Sequence, residues 1–229
     1  MPSARLAWPA SPSGSPVSKA VHQPTPRRQI LSRIEATQPP GAPRSRVILA
    51  AADCFSLVGI RAVGIDRLIR EANIAKATFY DHFPSKMDLV AAYLEAWDGA
   101  WRWWFAEAVR ERYTVSVEEI FAMFEVLRDL FEDGEYRGCT FARAITEVGL
   151  DDTRVGSIGV RHKAAVEAYI GEIAFRGGFA RPDDLARQLL LLIDGAMTSA
   201  AREHSAAAAD LAAEIARTVV ASHPRREGR

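Results

Sequence analysis

The chain has 229 residues and equal numbers of basic and acidic side chains, so its formal net charge at neutral pH is zero. A neutral total excludes a strongly basic protein that would bind any nucleic acid through charge alone. The charges are nevertheless unevenly placed, because residues 1–90 carry a net charge of +6 and the remainder carries −6. This division is typical of a chain in which one part meets phosphates and the other does not.

The first 42 residues are predicted to form a disordered leader. Nine of the twelve prolines lie in residues 1–43, among many serines, alanines and glutamines. Such a composition cannot bury a core. The leader lacks the continuous apolar segment of a signal peptide, and no apolar run reaches the length of a membrane span. We therefore expect a cytoplasmic protein without a membrane partner, and a basic arm that reaches along DNA stays an alternative for the leader.

Residues 43–90 are predicted to form a helix-turn-helix domain of three helices. The first helix covers residues 43–55 and begins with a proline, which suits the first helical turn. The second covers about residues 64–72, and Asn73 supplies the turn because asparagine tolerates a left-handed backbone. The third helix, over about residues 75–81, is short enough and polar enough on one side to enter a major groove.

A characteristic segment of this chain begins within the third helix. It reads Thr78-Phe79-Tyr80-Asp81-His82-Phe83-Pro84-Ser85-Lys86. With a correctly placed helix before it, this segment resembles the DNA-binding domain of the TetR family of transcriptional regulators. The resemblance implies contacts with double-stranded operator DNA from Arg44, Arg46, Gly64, Lys76, Ala77, Thr78, Tyr80, His82 and Lys86. The family usually has a serine or threonine where Gly64 and Ala75 stand, so two hydroxyl contacts to phosphate are missing.

The residue types of this segment favour DNA contact even when the family resemblance is left aside. Thr78 offers a hydroxyl and a methyl group to base edges. Ser85 and Asp88 have the spacing of a capping box, which would hold Lys86 at a helix N-terminus beside the phosphate backbone. The phenylalanines of the segment are predicted to turn inward. Simpler interpretations stay open, in which the cations are only solvated and His82 bonds to its own backbone.

Residues 91–222 are predicted to form a second domain, followed by a frayed tail over residues 223–229. Apolar residues recur at helical spacing, and no alternating strand pattern is sustained. Helices are expected at about residues 85–108, 117–132, 140–148, 155–174, 182–203 and 206–220. The predicted fold class is therefore all-α, with a ligand-binding and dimerisation domain after the helix-turn-helix domain.

Aromatic side chains are concentrated in the second domain, where four of the five tryptophans lie in residues 97–104. Core packing is the simpler interpretation, but aromatic walls also suit an extended apolar ligand. The candidates for a small-molecule pocket are Trp101, Trp104, Phe105, Phe121, Phe124, Phe141, His162 and Tyr169. The last two could instead pack at a dimer interface.

The helix expected at residues 182–203 has a broad apolar face, formed by Leu185, Leu189, Leu192, Ile193, Ala196 and Ala200. In the resembled family the last long helices pair with their twofold mates. The resemblance therefore implies that this face is a homodimer interface, and an operator with two half-sites requires such a dimer.

Nothing in the sequence indicates an enzyme. The five histidines are scattered, and no His-Glu-x-x-His motif, paired-cysteine motif or glycine-rich phosphate loop occurs. We expect neither a cofactor nor a metal.

The sequence predicts a repressor that binds a palindromic operator as a homodimer and is released by a small-molecule inducer. The alternatives are an activator, a regulator with a vestigial pocket, and an α-helical ligand-binding or scaffolding protein whose helix-turn-helix no longer binds DNA.

Overall fold

The computed structural model describes residues 24–113, 116–148 and 153–226, and within them the chain forms ten α-helices and a single bridged residue pair. The helices are α1 (Pro26–Ala36), α2 (Pro43–Val58), α3 (Ile65–Glu71), α4 (Lys76–His82), α5 (Lys86–Arg112), α6 (Ser116–Glu132), α7 (Thr140–Val148), α8 (Thr153–Arg176), α9 (Pro182–Glu203) and α10 (Ala207–Ser222). The all-α prediction is confirmed. Helices α7 and α9 begin and end at the predicted residues.

Contacts divide the chain into two compact units. Among the described residues, the helix-turn-helix unit comprises residues 27–101, 135–148 and 153–162, and the C-terminal unit comprises residues 24–26, 102–113, 116–134 and 163–226. Helices α5 and α8 each contribute residues to both units. The predicted boundary at residue 90 falls inside α5, so a domain division at that position stays a prediction.

In the helix-turn-helix unit, α2, α3 and α4 pack against one another. Helix α2 buries side chains at helical spacing, among them Val47, Ala51 and Phe55. Phe79 on α4 and Phe83 just after it are also buried, so the prediction that both turn inward is confirmed. Burial of these aromatic side chains fixes α4 against α2 and leaves its opposite side free.

The turn and the helix cap that were predicted from the sequence define the ends of these helices. Asn73 has a φ of 50°, the left-handed conformation that was predicted for the turn between α3 and α4. Before α5, the Asp88 amide donates to Ser85 Oγ at 3.2 Å, and the Ser85 amide donates to Asp88 Oδ2 at 3.0 Å. This reciprocal pair is the predicted capping box.

The prediction of a disordered leader was wrong for the segment that forms α1. Ile30 and Ile34 are fully buried, and the Arg27 guanidinium donates to Asp53 Oδ1 at 2.6 Å. Two isoleucines separated by one helical turn bury a continuous apolar edge, and this edge holds the short helix. The prolines on both sides of α1 obscured that spacing. Residues 1–23, the rest of the predicted leader, lie outside the described residues.

In the C-terminal unit, α10 packs on α9 and α6, and α6 also packs on α9. The prediction of a frayed tail was wrong for residues 223–226. The Ala180 amide donates to the Pro224 carbonyl at 2.9 Å, and the Arg226 amide donates to the Gly178 carbonyl at 2.7 Å. These backbone bonds fix the tail against the turn between α8 and α9. Residues 227–229 are not among those described.

A bilayer-spanning helix would need a long and strongly apolar segment. Of the helices in the described parts of the chain, none has that combination of length and hydropathy.

Candidate functional site

The outward side of α4 carries the residues that were predicted to contact DNA. Lys76, Ala77, Tyr80 and His82 are exposed, and Thr78 is half-buried. The exposed fraction of Tyr80 is 42%, although its neighbour Phe79 is fully buried. Helix α4 is therefore anchored by one side and presents a small and polar surface on the other, which is the geometry needed to enter a groove.

The helices of the helix-turn-helix begin without side-chain caps. In this described region neither Gly64 nor Ala75 makes a side-chain hydrogen bond to the helix it precedes. Gly64 has φ −79° and ψ 156°, and an added Cβ there would meet no atom within 4 Å. The N-cap side chains thus offer no acceptor to the first amide groups of either helix, and these amides can meet an anion.

The predicted cationic contacts separate into two kinds. Arg44 is exposed, with its guanidinium 5.3 Å from the centre of the Phe83 ring. Arg46 instead donates to the Asn73 carbonyl at 3.0 Å, and it thereby supports the turn between α3 and α4. The Arg46 contact was not predicted, because the direction of a long flexible side chain does not follow from sequence spacing.

Lys86 was expected beside the phosphate backbone, but its ammonium group donates to the Ile60 carbonyl at 2.5 Å. Partial burial lowers the pKa of Lys86, although the charge of Glu147 acts in the opposite direction. The structure therefore gives Lys86 a role in holding the loop between α2 and α3, and a DNA contact from this side chain stays a prediction.

Lys76 lies 3.4 Å from the carboxylate of Asp66 on α3. Both side chains are well exposed, so solvent screens this ion pair and it constrains Lys76 only weakly. Three further exposed cations lie on α3 and in the loop before it, and none of them was predicted to contact DNA, namely Arg61, Arg67 and Arg70. The sequence feature that could have indicated them is the high number of arginines on both sides of Gly64.

In the helix-turn-helix unit, three candidates for the ligand pocket meet around a buried hydrogen-bonded pair of side chains. The His162 ring stacks on Phe141, with 3.9 Å between ring centres, and meets Trp101 edge-on at 5.1 Å. His162 Nδ1 lies 2.8 Å from Asp98 Oδ1, and both side chains are buried. Asp98 was not predicted as a site residue, although the sequence places its carboxylate between Trp97 and Trp101, which are one helical turn apart.

In the C-terminal unit, Phe105 has its ring centre 6.3 Å from Trp104 and 6.3 Å from Tyr169. Burial raises the pKa of the Tyr169 phenol, as expected for a group that loses hydration when charged. Phe124 is also buried. Phe121, another pocket candidate, is partly buried, and the Arg217 guanidinium lies 5.6 Å from its ring centre. Its place in a ligand pocket stays a prediction.

The sequence and the structure both have counterparts among known proteins. The sequence model of the TetR family of bacterial regulatory proteins matches residues 47–93, which run from α2 into α5. The fold is similar to that of a TetR-family transcriptional regulator from Streptomyces coelicolor, with a TM-score of 0.75 and 26% identity over 83% of this chain and 94% of that one. Residues 47–93 thus match the DNA-binding region of the TetR family, and the fold of the chain is that of a TetR-family regulator.

Two further proteins extend this comparison. It is 27% identical over 135 residues to the transcriptional regulator AcuR of Cereibacter sphaeroides, over 54% of this chain and 60% of AcuR. The aligned region thus spans less than two thirds of AcuR. Escherichia coli NemR in its reduced form has a similar fold, with a TM-score of 0.68 and 20% identity over 77% of this chain and 97% of NemR.

The predicted dimer interface needs correction. Five of its six residues are buried within their own unit and are not available to a partner, namely Leu185, Leu189, Ile193, Ala196 and Ala200. Leu192 is partly exposed. The apolar stripe read from the sequence is the side of α9 that faces the core of its unit. The exposed apolar side chains lie beside it, at Leu191 on α9 and at Leu211 and Ile215 on α10.

A resident metal would require several ligating side chains close together. Among the side chains that the structure describes, no group of three or more His, Cys, Asp or Glu residues could hold a metal ion.

Proposed function

We propose that this TetR-family chain is a transcriptional repressor that binds a palindromic operator as a homodimer and is released by a small-molecule effector. The observation that carries the DNA-binding part is the surface of α4. Lys76, Ala77 and Tyr80 are exposed on a helix whose other side is fixed by buried Phe79. Such a helix can contact base edges without rearranging its own core.

The homodimer is supported by an uncovered apolar groove between α9 and α10. Leu191, Leu211 and Ile215 line it and are 74%, 59% and 42% exposed. Gly195 lies in the same groove and would let a partner helix approach closely. Contiguous apolar surface of this kind marks association sites on soluble proteins, and the same patch on two copies forms a twofold interface.

A small-molecule effector is supported by the cluster of Trp101, Phe141, His162 and Asp98. Aromatic walls with a few buried polar groups are typical of ligand sites, because the rings bury the ligand and the polar groups orient it. We infer that an effector shifts the dimer away from the state in which both copies of α4 match successive major grooves, about 34–36 Å apart. DNA affinity then falls by the coupling free energy between the two sites.

The test of this function is selection of DNA from a random-sequence library by the full-length protein. We expect a motif with twofold symmetry and half-sites separated by about 10–10.5 base pairs or a multiple of that spacing. A Tyr80→Ala variant should recover no motif. A repressor of this kind would act in the cytoplasm, where the DNA lies. If the wild-type protein enriches no sequence, the scaffolding alternative with an inactive helix-turn-helix replaces the repressor.

A further inference from the structure

The loop from Gly59 to Gly64 joins α2 to α3, and a carboxylate from α7 holds it. Glu147 Oε2 accepts a hydrogen bond from the Arg61 amide at 2.8 Å. Gly59 has a φ of 90°, and a Cβ at this position would lie 2.7 Å from Glu147 Oε1. A side chain at this position would displace the Glu147 carboxylate, and the positive φ favours glycine there in any case.

A second side chain of α7 holds the end of α2. Arg143 Nη1 donates to the Ser56 carbonyl at 2.8 Å, and Arg143 Nη2 lies 3.9 Å from Glu147 Oε1. The two residues are one helical turn apart and so lie on the same side of α7. Arg143 satisfies a carbonyl in the last turn of α2, and Glu147 satisfies an amide in the loop that follows.

These contacts fix the segment from which the helix-turn-helix begins. Lys86 at the start of α5 donates to the Ile60 carbonyl, between the points held by α7. Helix α3 begins at Ile65, only a few residues after Arg61. A shift of the loop would therefore be passed to α3 and, through the turn at Asn73, to α4. The anchoring helix α7 lies outside residues 47–93, the part matched by the family model.

We propose that Glu147 and Arg143 are positioning residues for DNA binding, which set operator affinity by fixing the loop between α2 and α3 without touching DNA. This inference rests on the proposed DNA-binding function. Charge-assisted hydrogen bonds to backbone groups are among the stronger polar contacts in proteins. Losing them would let α3 and α4 sample other orientations, and each binding event would then have to restore the correct one.

The test compares Glu147→Ala with Glu95→Ala in the full-length protein. Glu95 is a matched control, because it also pairs with an arginine of the helix-turn-helix unit, Arg161, but on α8 and away from the loop. Three quantities are measured: the affinity for the selected operator duplex at 25 °C, the melting temperature, and the hydrogen-exchange rate of the Arg61 amide without DNA. Glu147→Gln, which keeps an acceptor oxygen, is measured beside them.

For Glu147→Ala we expect about tenfold weaker operator binding and faster exchange at Arg61, with a melting temperature close to that of Glu95→Ala. Glu147→Gln should restore most of the affinity. A purely structural role would lower the melting temperature but leave the affinity of the folded protein unchanged, and that result would overturn the positioning role. If the wild type selects no operator at all, the proposed function fails first, and the positioning role fails with it.

Discussion

The groove between α9 and α10 gives a quantitative prediction for Leu191→Glu. Complete burial of a leucine side chain stabilises a complex by about 1.5–3 kcal/mol. Leu191 is 74% exposed in the single chain, and a twofold interface would bury it twice. The substitution should therefore weaken the dimer by about 2–4 kcal/mol, and the new charge acts in the same direction. At about 1.4 kcal/mol for each factor of ten, the dissociation constant should rise about 30- to 700-fold.

The assay is sedimentation velocity over a range of protein concentrations, with circular dichroism to confirm that helix content is retained. Val160→Glu is the matched control, because Val160 is 69% exposed but lies on α8 in the helix-turn-helix unit. We expect the wild type and Val160→Glu to remain dimers where Leu191→Glu is a monomer. If Leu191→Glu dimerises as tightly as the wild type, or if Val160→Glu dissociates equally, the groove is not the interface.

Three further predictions concern the stability of the helix-turn-helix unit. Ala75→Ser adds an N-cap to α4 and should raise the free energy of unfolding by about 1 kcal/mol in urea denaturation; no gain would mean that the cap position is not formed. Ile34→Ala removes a fully buried side chain and should lower that free energy by about 2–4 kcal/mol, whereas exposed Glu35→Ala should change it by less than about 0.5 kcal/mol. Burial raises the pKa of Tyr93 above its ordinary value of about 10, so the folded state favours the neutral phenol. This contribution to stability is complete below about pH 10 and is lost as the pH rises further; melting curves should show that loss in the wild type and less of it in Tyr93→Phe.

Much of the fold was predictable, because local signals set the helix-turn-helix. Asn73 marked the turn, Ser85 and Asp88 marked the start of α5, and the spacing of Phe79 and Phe83 marked the inward side of α4. These features depend on backbone preferences and on periodicity within one or two turns, and both can be read directly from residue order. The same reasoning located α7 and α9 at their observed ends.

The errors arose where the partner of a residue lies far away in the sequence. The apolar stripe through Leu189 and Ile193 on α9 could have faced either a core or a second copy, and periodicity does not distinguish these two environments. The backbone contacts of Lys86 and Arg46 were not predicted for the same reason, because their acceptors lie more than twenty residues away, and the DNA contacts of both side chains stay predictions. Helix α1 was missed because proline content outweighed a single pair of isoleucines.

The most direct test of the central proposal is a salt titration of binding to the selected operator duplex by fluorescence anisotropy. The proteins compared are the wild type, Lys76→Ala, Tyr80→Ala and Tyr113→Ala, the last as a control because Tyr113 and Tyr80 are both 42% exposed. We expect steeply salt-dependent binding, which both α4 variants weaken and Tyr113→Ala leaves unchanged. The slope of log affinity against log salt concentration should be smaller in magnitude by about one for Lys76→Ala than for the wild type. Equal affinity of all four proteins for operator and random DNA would contradict a DNA-reading function for α4.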